Sequence, residues 1–87
     1  MPVSNLSPVE RIARVIAGRI VSANGEGSET SAGNLVDSIW RNYRDDALSV
    51  IRTLREPDAA MAEVGDVETW ERMIEAALAE AEAEATL

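Results

Sequence analysis

Apolar side chains recur at Val36, Ile39, Trp40, Tyr43, Ala47, Val50, Ile51 and Leu54. Steps of three and four residues, at about 100° each, put them on one face of a helix. Pro57 cannot extend the hydrogen-bond ladder and biases Glu56 away from helical angles, so this helix, the second of the chain, spans about 34–56. An earlier stripe, Val9, Ile12, Ala13, Ile16 and Ile20, predicts helix one over 8–23. Ser7 can cap it, Pro8 suits its first position and Glu10 completes a capping box. The small, polar, Gly-rich run 24–33 reads as a mobile loop, with Ser31 or Asn34 as the cap of helix two.

Beyond Pro57, residues 57–64 read as a short helix that starts on the proline, turns Met61 and Val64 inward and stops on a left-handed Gly65. Asp66 can cap the last helix, about 67–83. Its buried stripe is Trp70, Met73, Ile74, Ala77, Leu78 and Ala81. The tail 84–87 is expected to fray, because its carboxylates lie at the negative end of the helix dipole. The fold class is therefore all-α: one small domain, a bundle of three main helices plus a short connecting helix.

Charge sharpens this picture. Residues 1–55 hold seven Arg and six acids, a net +1, whereas residues 56–87 hold one Arg and ten acids, a net −9. Such a domain repels phosphate, so direct nucleic-acid binding and anionic membranes are not expected, and a protein partner with a basic surface is. Solubility alone is the plain alternative. On the last helix Glu68, Glu71, Glu75 and Glu82 project within about 60° of one another, and the first three stand about 4.5–6 Å apart along the axis. This row, with Glu63 nearby, resembles the charge spacing of a nucleic-acid backbone and is the candidate partner-binding surface.

Helix two carries a contrasting stripe of Arg41, Arg44, Arg52 and Arg55, with Leu48 among them. An apolar residue inside a basic stripe is a candidate oligomer contact, and a chain this short often supplements its core by oligomerising. Most of these arginines are expected to pair with carboxylates of the same chain, as are Asp45 and Asp46.

Little chemistry is on offer. The chain has no His, Cys or Lys, so the usual bases, the thiol nucleophile and Schiff-base formation are absent, and no enzyme activity, metal or cofactor is expected. A phosphate loop at 24–33 fails, because Glu26 and Glu29 would face the phosphates with no lysine to neutralise them. No run approaches a membrane span and the N-terminus lacks a signal-peptide pattern, so a cytoplasmic location is expected.

Three stretches carry a resemblance. Val9-Glu10-Arg11-Ile12-Ala13-Arg14 is followed by Trp40, Tyr43, Ala47, Val50-Ile51, Leu54-Arg55-Glu56-Pro57, Met61 and Val64-Gly65, and then by Trp70-Glu71-Arg72-Met73-Ile74-Glu75-Ala76-Ala77-Leu78. Together they resemble a pattern in small uncharacterised helical proteins of phages and prophages. The resemblance implies a module of mobile DNA and carries over no functional residue. With the acidic row, it suggests an inhibitor of a host nucleic-acid-binding defence complex, in the manner of an anti-CRISPR. The alternative is a self-associating structural or assembly module, a homodimer formed through helix two.

Overall fold

In the computed structural model, which describes residues 2–23 and 29–85, the chain is all-α, with no strand among the described residues. Helix α1 runs Pro8–Ala23, α2 Glu29–Ile39, α3 Arg44–Thr53, α4 Ala59–Val64 and α5 Val67–Ala85, and a 3₁₀ turn, Trp40–Tyr43, joins α2 to α3. The Ser7 hydroxyl accepts from the Glu10 amide at 3.1 Å, one half of a capping box, while the Glu10 carboxylate turns instead to Arg14.

Helix α1 is the spine. Its buried row is Val9, Ala13, Ala17 and Val21, whereas Ile20, expected in the core, is exposed. The small side chains explain the choice of face: alanines every four residues let neighbouring helices approach closely. Helix α2, the 3₁₀ turn and α3 pack in turn on α1, and α5 crosses α3 and α1. Trp40, Ala47, Ile51 and Ala81 complete the core, with Val36, Ile39, Tyr43, Ile74 and Leu78 against it.

Several boundaries differ from the sequence reading, among them the end of α3 at Thr53, three residues before the stop expected near Glu56. Helix α2 begins at Glu29, inside the stretch expected to be a loop, so Ser31 and Asn34 are helical residues and not caps. An interior glycine such as Gly33 costs a helix only about 1 kcal/mol. Docking of Val36 and Ile39 against the core outweighs that. Residues 24–28 of the expected loop lie outside the described residues.

The helix expected to be continuous over 34–56 is broken by the 3₁₀ turn, where Ile39 and Tyr43 leave ideal helical angles (φ −115°, ψ −10° and φ −106°, ψ 14°). Burying the indole of Trp40 against α1 drives the offset, and the periodicity on either side hides it. Helix α4 starts at Ala59, two residues later than expected, on an Asp58 cap whose carboxylate accepts from the Met61 amide at 3.0 Å. Gly65 is extended (φ −151°), not left-handed. Finally, α5 stays helical through Ala85, because Arg44 reaches Glu84 at 3.0 Å and supplies the counter-charge that the tail lacks locally. Residues 86–87 of the expected frayed tail lie outside the described residues.

Candidate protein-contact surface

Every residue from Asp58 to Thr69 is exposed. That stretch comprises α4 and the first turn of α5, here called the arm. Met61 and Val64, expected to face inward, face solvent instead; Val64 is 90% exposed and Met73, expected in the buried stripe, 63%. The pattern misled because α4 has an apolar face but packs substantially on no other helix.

What holds the arm in place is polar. Asp58 caps α4. Asp66 caps α5, accepting from the Thr69 hydroxyl at 2.6 Å and the Thr69 amide at 2.8 Å. Those two bonds, the hydroxyl's first, hold the Asp66 carboxyl below the usual carboxylate range. Half-buried Trp70 supplies the third fixing point: its indole N–H donates to the Leu54 carbonyl at 2.7 Å, one of the open carbonyls at the end of α3. Position 70 reads in the sequence as core spacing alone, and no local signal points to Leu54.

Between α4 and α5 lies an apolar groove of about 350 Å³, lined by Pro57, Met61, Ala62, Val64, Gly65, Asp66, Val67, Thr69, Trp70 and Met73. The sequence reading missed it. Residues 56–71 around it carry six carboxylates and no base.

The acidic row divides. Glu68, Glu71 and Glu75 surround one shallow depression of about 260 Å³ together with Arg72. Glu75 is already engaged by Arg55 at 3.0 Å. Glu82 lines a separate groove with Arg52, Arg55, Glu75, Leu78 and Ala79. Glu63 lies on α4, in neither depression.

The arginine stripe also splits, because the 3₁₀ turn re-aims its first half. Arg41 stacks on the Trp40 ring at 4.6 Å from the centroid, with Arg14 at 5.3 Å and Arg44 at 5.8 Å. Arg14 also bridges Glu10 (2.8 Å) and Asp37 (2.6 Å), tying α1 to α2, and those bonds, Asp37's first, raise its already high pKa. Arg44 and Arg55 pair with Glu84 and Glu75 of α5. Arg52 faces the groove that Glu82 shares. For Asp45 and Asp46 no ion pair forms among the described residues. Leu48 is half-buried against the core, not exposed among arginines, so helix packing already occupies the side chain assigned to a dimer contact.

No group of three or more potential metal ligands converges among the described residues, and none of the described helices is long and apolar enough to cross a membrane. No protein-family model matches the chain, and neither a curated protein nor a solved structure is significantly similar to it.

Proposed function

We propose that this chain acts by protein–protein contact, presenting the acidic arm and the outer face of α5 to a partner with a basic surface. The observation that carries the reading is a coincidence of two distributions. The net charge of −9 lies on residues 56–87, and the fold leaves residues 58–69 of that segment wholly outside its core. Four of the ten acids of that segment, Asp58, Glu63, Asp66 and Glu68, stand on this unpacked element, with no basic residue among them. Arg55 and Arg44 engage Glu75 and Glu84, acids of the segment that lie beyond residue 69, and Arg41 is stacked on Trp40.

With the resemblance to phage and prophage proteins, the specific form of the proposal is an inhibitor of a host nucleic-acid-binding complex, in the manner of an anti-CRISPR. Carboxylates take the place of phosphates in the basic channel. Of the acidic row, Glu68 and Glu71 are the two that share one depression and that no carboxylate–arginine pair holds among the described residues.

An affinity capture from host lysate at low and at high salt tests this. A basic nucleic-acid-binding protein retained at low salt and released at high salt is the expected result, since screening weakens an acidic face on a basic channel. The double variant Glu68→Arg/Glu71→Arg should lose that partner while keeping its helical circular dichroism. Undiminished capture by that variant would refute the assignment.

A further inference from the structure

The groove between α4 and α5 has a geometry that general acidity does not explain. Helix α4 is only six residues long and rests on no other helix, yet it has a capping carboxylate at its start, a second cap immediately after it and the Trp70 to Leu54 bond behind it. A helix so short is unstable alone. The caps fix where α4 and α5 begin and the indole bond fixes α5, and the α4 wall carries Met61 and Val64 across from Val67, Trp70 and Met73. Two methionines on facing walls give a lining that adapts to the shape of an incoming side chain.

We propose that this groove seats an apolar anchor residue of a basic amphipathic helix belonging to the partner. The inference rests on the acidic-arm reading above and names the chemistry of what that arm receives. Charge selects the occupant. Residues 56–72 carry six carboxylates and one arginine, Arg72, whose guanidinium reaches the Thr69 hydroxyl at 3.4 Å, so the surroundings of the groove are net acidic. A second copy of the chain seated face to face would bring two net-acidic sets together, six carboxylates against one arginine on each side. A helix with Lys or Arg on one face and Leu, Met or an aromatic residue on the other meets both requirements: its cations answer the carboxylates, and a large apolar side chain has room to enter a groove of about 350 Å³. The apolar anchor then adds affinity that salt does not screen.

The test titrates the 87-residue chain with a synthetic helical peptide of about 18 residues, five turns, built from Leu at helical spacing and Lys elsewhere. Side-chain methyl NMR signals of Met61, Val64 and Met73 are the readout. Two control peptides replace every Lys by Glu or every Leu by Ser. The expected result is that the Leu/Lys peptide shifts these methyls, the Leu/Glu peptide does not, and Val64→Asp weakens binding at least about tenfold. Val64 is 90% exposed, so that variant leaves the fold intact, which circular dichroism verifies.

If the Ser/Lys peptide binds as tightly as the Leu/Lys peptide and the three methyls stay still, the groove assignment is overturned and the acidic reading survives. If no basic peptide binds at all, both are overturned. Methyl shifts that track protein concentration without peptide, with a dimer in sedimentation, would make the occupant a second copy and overturn the inference.

Discussion

Paired truncations of Ile51 and Val64 separate the body of the fold from its arm. Ile51 is 2% exposed and lies where α3 joins the core cluster around α1; Val64 is an apolar residue of the same β-branched kind at 90% exposure. Truncating a fully buried Ile to Ala costs about 2–5 kcal/mol, from lost transfer energy plus the cavity left behind. A chain of 87 residues has a total stability of about 4–13 kcal/mol at the usual per-residue value. Ile51→Ala therefore removes a large fraction of it. At about 4–8 °C per kcal/mol for a domain of this size, a loss near 3 kcal/mol lowers Tm by about 12–24 °C. Val64→Ala removes methyl groups already in water and installs a better helix former, so its effect stays within about 0.5 kcal/mol of zero.

Urea unfolding followed by circular dichroism at 222 nm, with thermal melts beside it, measures both. A loss of about 2 kcal/mol or more at Val64 would mean that α4 folds onto the body, and the reasoning that leaves the arm free for a partner would fail. A loss below about 1 kcal/mol at Ile51 would equally refute the position of the core.

Gly18→Ala and Gly33→Ala should each stabilise the chain by about 0.5–1 kcal/mol, because both glycines lie inside helices. A Cβ at Gly18 would sit at an ordinary 3.9 Å from Val36 Cγ2, and one at Gly33 would meet nothing within 4 Å; destabilisation of the Gly18 variant in urea would show α1 and α2 to be in closer contact than that. For Asp66 the folded carboxyl is held below its ordinary value, so the cap contributes fully above the unfolded carboxylate pKa of about 4 and is lost as pH falls through the depressed folded value. The Thr69 amide resonance should then titrate with a midpoint below about 3.9, and a midpoint at or above that ordinary value would contradict the cap geometry.

Much of the architecture was legible because it rests on local physics. The caps at Ser7 and Asp66 act through bonds spanning three residues, so their residue types announce them, whereas α3 ends at Thr53, short of the stop expected from Pro57. The all-α character follows from apolar steps of three and four. The start of α2 was not legible, because Gly-rich composition argues for a loop and only packing on α1 overrides it.

The candidate surface was half legible, and the division follows interaction range. Net charge is additive along the chain, so the acidity of residues 56–87 needs no fold to be seen. Which carboxylates stay unpaired depends on arginines 20 and 40 residues away in sequence, as in Arg55 with Glu75 and Arg44 with Glu84. Periodicity states that a helix has an apolar face; it cannot state what covers that face. Leu48 reads as part of the arginine stripe and Met73 as part of a buried one, yet packing put the first against the core and left the second in an open groove. The sequence by itself determined the all-α character, both ends of α1, the end of α4, the start of α5 and the charge of residues 56–87. The tertiary structure decided that Trp40 would break a helix, that Trp70 would bind the Leu54 carbonyl and that Met61, Val64 and Met73 would face water. Those outcomes depend on contacts between segments distant along the chain, which no local pattern encodes.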